Sequence, residues 1–321
     1  MSLIKFTNKG IYCPRAEVYI DPLKKVDRAL ITHGHSDHAR RGHKRYLCTH
    51  ASKPILRHRL GKIDCDSIEY HESLNINGVN FSFHPSGHII GSAQIRAEYK
   101  GEIWVVSGDY KVAADGFTEP FEPVKCHHFI TESTFGLPIY KWDDPAITAN
   151  QLNEWWALNQ ANNKVSIILA YALGKAQRII HDLDPSIGSI YTDSAVEGIN
   201  SVIRNHGIPI KATTLFTPDI NKKSLVGNIM VATPSIMNAD WVDQLIPYDT
   251  AAASGWMMLN NTRKRRNVDQ AFVISDHADW KGLLSAIQAT EAENVYVTHG
   301  YTDFFTKYLR ESGWNARVVT T

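Results

Sequence analysis

The sequence predicts an α/β protein in which one layered domain is interrupted by a second, and three observations carry that reading. Short β-rich apolar runs repeatedly end in a residue of metal-ligand type. Such runs fall on both sides of residues 137–271, a stretch in which helix-like and strand-like segments alternate. With 321 residues the chain is long enough for both parts to bury a core.

Taken in order, AEVYI ends in Asp21, RALIT runs into His33, VNFSFHPSG into His88, IWVVSG into Asp109 and HFIT into Glu132. Runs of about four to eight β-branched and aromatic residues closed by Gly, Ser or Asp read as buried strands. Residues at the ends of several strands meet at one edge of a sheet although they lie far apart in sequence. The texture then changes. TANQLNEWWALNQ reads as a helix, VSIILAYAL as a strand, and a helix opens near GKAQRIIHDL. IGSIYTD, AVEGINSVIRN and NIMVAT continue as strand, helix, strand. That alternation implies a parallel sheet with helices packed on it. Afterwards the first pattern returns, AFVISD running into His277 and NVYVT into His299. The expected organisation is a first domain over 1–136, an inserted domain over 137–271, and the completing part of the first domain over 272–321.

Composition narrows the function classes. A net charge of +1 rules out a chain that is basic throughout, so any polyanion site has to be a local patch. The main candidate is the run Arg263, Lys264, Arg265, Arg266, which reads either as a nucleic-acid contact or as a solvated face. The cysteines Cys13, Cys48, Cys65 and Cys126 show no CxxC spacing, which suits a reducing compartment. MSLIKFTNKG lacks the apolar core of a signal peptide, and no apolar run approaches the roughly 18 residues of a membrane span. A cytoplasmic location without membrane contact is the expectation. Histidine is the anomaly, 15 in all, and the question is which of them converge.

The densest cluster is HGHSDH, residues 33–38, where His33, His35, Asp37 and His38 offer several donors from one turn after a strand. Neutral imidazoles with a carboxylate suit a borderline divalent ion such as zinc or manganese. His88, Asp109 and His299 are strand-end residues that could join them or could act as caps and turn formers. Asp21 could brace a ligating histidine or shape the turn before Pro22. His43, His50, His58, His71, His127, His128, His181 and His206 take no role, and His84 does not share a metal with His88 merely by lying near it in sequence.

HGHSDH is the hallmark of the metallo-β-lactamase fold, and the chain resembles that superfamily in the order of its later motifs. The resemblance implies an αββα sandwich and a two-metal site. One metal takes His33, His35 and His88; the second takes Asp37, His38 and His299; Asp109 bridges. The α/β stretch between Asp109 and His299, preceded by ITESTFG and followed by ISDHADW, resembles the inserted domain of the β-CASP nucleases. By that resemblance their acidic motif falls on Glu132 and their extra histidine on His277. GIYCPRAEVYIDP, VDRALITHGHSDHARRGH, GDYK, EPFEPVKC, ITESTFGLPIY, LGKAQR, ASGW, SDHADW and VTHGYTD together are similar to the ligase-associated DNA exonuclease family, nearly end to end.

The function this resemblance implies is a metal-dependent DNA exonuclease in repair, with a metal-bridged hydroxide attacking the phosphodiester. Asp37 and Asp109 would orient the nucleophile, Asp37 would receive its proton, and His277, held by Glu132, would protonate the leaving oxygen. Zinc is the metal that the imidazoles favour, with manganese the alternative for turnover. Lys175, Ser254, Gly255, Arg263 and Lys264 are the candidates for substrate contact. Family association suggests an ATP-dependent DNA ligase and a helicase as partners. Among β-CASP proteins a histidine in the last motif marks RNA enzymes, so His299 keeps a ribonuclease open. A small-molecule metallo-hydrolase would have no use for the insert, and a non-catalytic subunit should have lost donors that are present here.

Overall fold

The computed structural model describes residues 2–217, 219–245 and 247–319. The chain divides into two compact units, one formed by 1–141 together with 277–321 and the other by 142–276.

The first unit contains two sheets. One runs in the order Lys5–Thr7, Gly10–Cys13, Val18–Ile20, Arg28–Leu30, Arg45–Thr49, Cys65–Ile68. The other runs Ala316–Val318, Asn294–Gly300, His128–Ser133, Glu102–Val106, Ala93–Tyr99, Val79–Pro85, Ser73–Ile76. Alternation with period two decides which side chains meet between them. In Val79–Pro85, Val79, Phe81 and Phe83 are buried, whereas Asn80 is exposed and His84 half-buried. Phe81, Phe83, Ile95 and Trp104 from the second sheet join Val18, Ile20 and Leu30 from the first in one core.

Each sheet has its outer face covered by helix. Leu56 and Leu60 of the helix Ser52–Leu60 pack with Ala29, Tyr46 and Cys48. Leu283 and Ile287 of Trp280–Thr290, with Phe305 and Leu309 of Thr302–Glu311, pack on Val105, Phe129 and Val297. The layers are therefore helix, sheet, sheet, helix. Glu102–Val106, His128–Ser133 and Asn294–Gly300 are parallel neighbours. Their carboxyl ends share one sheet edge, the usual place for a site in an α/β layer.

The second unit is a parallel sheet in the order Thr214–Leu215, Ile190–Thr192, Ile229–Ala232, Val165–Leu169, Tyr248–Ala253, Gln270–Phe272. Both faces are buried: Ile168, Val231 and Ala251 face a core shared with helix residues Trp156, Ile179 and Val196, while Ile167 and Met230 face Phe216, Leu225 and Leu245. The helix read from TANQLNEWWALNQ spans Pro145–Ala161 and starts earlier than its apolar pattern. Asp144 caps it by accepting from the Ala146 N–H, and Pro145 supplies a preset first turn. Of AFVISD, read with the closing part of the first domain, only Ala271 and Phe272 are strand, in the edge strand Gln270–Phe272 that pairs with Tyr248–Ala253 of this sheet. Among the described residues no helix is long and apolar enough to cross a membrane.

Candidate metal centre

At the carboxyl edge of the first unit, His33, His35, His88 and Asp109 converge with donor atoms within 4.8 Å of one another. His35 Nδ1 lies 3.1 Å from His33 Nε2 and 3.0 Å from His88 Nε2. Asp109 Oδ2 lies 3.5 Å from His33 Nε2 and 3.7 Å from His88 Nε2. Ligand bonds of about 2.0–2.1 Å at tetrahedral angles put donors about 3.3 Å apart, which is the scale of this ring. The other oxygen, Asp109 Oδ1, is 3.4 Å from His38 Nε2. His38, Asp109 and His299 form a second donor group. One buried carboxylate thus turns an oxygen to each group, the disposition of a bridging ligand.

Local chain chemistry holds these side chains in place. The His38 ring is fixed by Asp21 Oδ2, 2.7 Å from Nδ1, which aims Nε2 inward. That Nε2 is buried and makes no hydrogen bond, as a metal donor should. Asp21 also accepts from the Thr32 backbone N–H and hydroxyl, so it tightens the approach to His33. Asp21 thus makes the bracing contact, and its φ of +44° before Pro22 also places it in the turn. In the His88 loop, Ser92 Oγ accepts from the N–H groups of His88 and Ile89, and Ser86 Oγ donates to the Asp109 carbonyl. Gly108, at φ +57°, sits where a Cβ would lie 2.7 Å from the Thr32 side chain, so Asp109 approaches His33 only because position 108 lacks one.

His299 is brought in by a bulge. The pairing of His128–Ser133 with Asn294–Gly300 jumps from Glu132–Thr298 to Ser133–Gly300, leaving His299 as the extra residue. Its φ of +53° and its exposure follow from that kink, which turns its ring to 5.0 Å from that of His38. Asp37 is set apart from this ring. It is largely exposed, its Oδ2 is 3.8 Å from His38 Nε2, and it belongs to neither close donor group.

Electrostatics favour a cation here. Burial lowers His33 well below the usual imidazole range, reinforced by His38 and His88, leaving a neutral ring with a lone pair. Burial alone would raise Asp109, yet His38 and His277 outweigh it and hold the carboxyl well below its ordinary value. For His38, burial is overcome by Asp109 and Asp21, which push it well above the imidazole range. Asp21 and Asp109 thus flank the His38 ring, a negative setting that suits a divalent ion. The donor set fits a zinc-class metal.

Glu132 and His277 meet beside this centre. Glu132 is 1% exposed and accepts from the Tyr110 N–H at 2.8 Å. His277 Nδ1 lies 2.9 Å from Glu132 Oε2, and the His277 ring is 4.6 Å from that of His88. Asp109, Glu132 and His277 form a third donor group.

The substrate-contact candidates all belong to the second unit. Lys175 is buried with Nζ 2.7 Å from Asp276 Oδ2, so its ammonium is already engaged by a carboxylate rather than presented to a ligand. Ser254 ends Tyr248–Ala253, and its Oγ accepts from the Trp256 N–H; Gly255 is buried beside it. Arg263 and Lys264 are exposed on the short helix Asn260–Arg266. The contact that sequence reasoning missed is a further group, His71, His84 and Glu122, whose members lie too far apart in the chain to signal one another.

No family model matches the chain. It is 28% identical over 326 residues to a probable DNA ligase of Opitutus terrae, covering 98% of this chain and 31% of that protein. It is 26% identical over 209 residues to an RNase J-like protein of Methanocaldococcus jannaschii, covering 54% of this chain and 48% of that one. The chain thus spans less than half the length of either relative. A crystal structure of a protein of unknown function from Enterococcus faecalis superposes with a TM-score of 0.62 at 12% identity, covering 92% of this chain and 79% of the other, a likeness of fold.

Proposed function

We propose that the chain is a metal-dependent nuclease of the metallo-β-lactamase superfamily, with a β-CASP-type domain in 142–276, and that it acts as a DNA exonuclease in repair. The observation that carries the hydrolytic reading is Asp109, whose buried carboxylate turns Oδ2 to His33 and His88 and Oδ1 to His38. The relative named as a probable DNA ligase, aligned over 98% of this chain, supports DNA as the polymer. The proposal extends, by the family resemblance alone, to association with an ATP-dependent DNA ligase and a helicase and to a cytoplasmic location. A second reading is favoured by the RNase J-like relative and by the histidine at 299: a ribonuclease with the same chemistry.

His33, His35, His88 and Asp109 would hold one divalent metal, and His38, His299 and Asp109, with Asp37 nearby, a second. Such ions would supply Lewis-acid activation of water and neutralise charge on the phosphodiester, with zinc favoured by the imidazoles and manganese the alternative. Asp37, exposed 3.8 Å from His38 Nε2, is positioned to take a proton from an incoming nucleophile. His277 donates Nδ1–H to Glu132, which leaves Nε2 as the atom that delivers a proton to the leaving sugar oxygen. Glu132 cannot turn away, because the Tyr110 N–H also holds it.

The test compares end-labelled single-stranded DNA and RNA of one sequence, each with zinc or manganese, using wild type and Asp37→Ala. Stepwise shortening of DNA that the variant loses is the expected result. Preferential cutting of RNA would replace the DNA reading with the second one. Cleavage of neither polymer by metal-loaded protein would overturn both.

A further inference from the structure

Away from the main metal centre, on the second sheet of the first unit, His71, His84 and Glu122 offer donor atoms within 4.8 Å of one another. His71 Nε2 is 3.4 Å from Glu122 Oε2, and His84 Nδ1 is 3.6 Å from Glu122 Oε1. These separations are too long for strong hydrogen bonds and close to the spacing of about 3.3 Å between ligands of a four-coordinate zinc. The rings of His71 and His84 stand 5.1 Å apart at 77°, so they present edges rather than stack.

The His84 side chain is 14% exposed. Its Nε2 is engaged by Ser82 Oγ at 3.0 Å, while its Nδ1 is buried without a hydrogen-bond partner. An imidazole whose far nitrogen is held by a hydroxyl, and whose near nitrogen faces only Glu122 Oε1 at 3.6 Å, is arranged as metal ligands are. Backbone contacts fix all three positions: the His71 N–H donates to the Phe83 carbonyl at 2.9 Å, the Glu122 N–H to the Pro85 carbonyl at 3.2 Å, and His84 pairs with Gln94 in the sheet. Gln94 Nε2 further holds the Glu122 carbonyl at 2.7 Å.

We propose that His71, His84 and Glu122 form a separate zinc site, with water from the exposed side completing four-coordination. A metal there would tie the segment that follows Asp109 to the strand that leads into His88.

The experiment titrates chelator-stripped protein with zinc against a chromophoric competitor, using wild type, His71→Asn and Glu122→Gln. Asparagine tolerates the left-handed backbone of position 71, at φ +66°, and glutamine keeps the backbone contacts of position 122. Each variant is expected to bind one zinc equivalent fewer than wild type, or to hold it at least about tenfold more weakly. The zinc-induced rise in Tm should shrink in both. Equal stoichiometry and affinity in all three proteins would overturn the proposal. Because the readout is a difference of one equivalent, it stands whether or not the main centre holds metal.

Discussion

Asp21 illustrates how much of the centre depends on a side chain that touches no substrate. It binds His38 Nδ1 and the Thr32 N–H together, so it sets the direction of one donor and the approach of another. Asp21→Asn keeps the shape and suits the φ of +44° at that position but loses the charge that stabilises His38. Zinc affinity, measured by chelator competition, should fall about tenfold or more with the fold intact. His277→Ala should instead leave metal content unchanged and lower turnover by about 10²–10⁴. A wild-type rate in metal-loaded His277→Ala would remove it as the proton donor. Local and distant partners differ here in how far the sequence betrays them. HGHSDH is legible because its donors lie within one turn. The Glu132–His277 contact spans 145 positions, and only motif order hinted at it. The contribution of the bulge at His299 was invisible, since it arises from a change of register between strands that are not neighbours in sequence.

Among the elements, those with a strong internal period were readable. The helices Lys175–Asp182 and Ser194–Asn205 and the strands Val165–Leu169 and Ile229–Ala232 fall on the segments assigned from apolar pattern. Tyr248–Ala253 was not, because a run of alanines carries little β signal and is a strand here through parallel pairing on both sides. Ser194–Asn205 also carries an acid-sensitive lock. Burial alone would raise the Glu197 carboxyl, but hydrogen bonds from Thr213, Arg204 and Thr192 outweigh it and hold it below its ordinary value. As pH falls, the unfolded chain binds this proton first. The stabilisation is therefore complete above the unfolded value of about 4.3 and is lost as pH drops through the folded one. Glu197→Gln should lower the urea midpoint at about pH 6, and that deficit should narrow by about pH 3. A deficit that is constant across this range would mean that the carboxylate charge contributes nothing.

For the molecule as a whole, the division into units makes a claim about what folds alone. The unit 142–276 is continuous in sequence and buries both faces of its own sheet, around Trp156 and Ile168 on one side and Phe216 and Leu225 on the other. Residues 1–141 alone would lack Trp280–Thr290 and Thr302–Glu311, leaving Val105 and Phe129 uncovered, and would lose the strand that carries His299. A fragment of 142–276 should therefore unfold in one cooperative urea transition, and a fragment of 1–141 should not. Where the first fragment ends also matters. Asp276 Oδ2 is 2.7 Å from Lys175 Nζ and Asp276 Oδ1 is 2.9 Å from Arg178 Nε, with all three side chains at most 6% exposed. The sequence pattern suggested a boundary at 271, but cutting there removes the carboxylate that two buried cations share. Breaking such a buried pair costs about 3–5 kcal/mol. The fragment 142–271, which also loses the buried Phe272 and Ile274, should thus be less stable than 142–276 by at least about that amount, or fail to fold. Equal midpoints for the two would show that Lys175 and Arg178 reach water once Asp276 is gone, and would return Lys175 to the residues able to meet a phosphate.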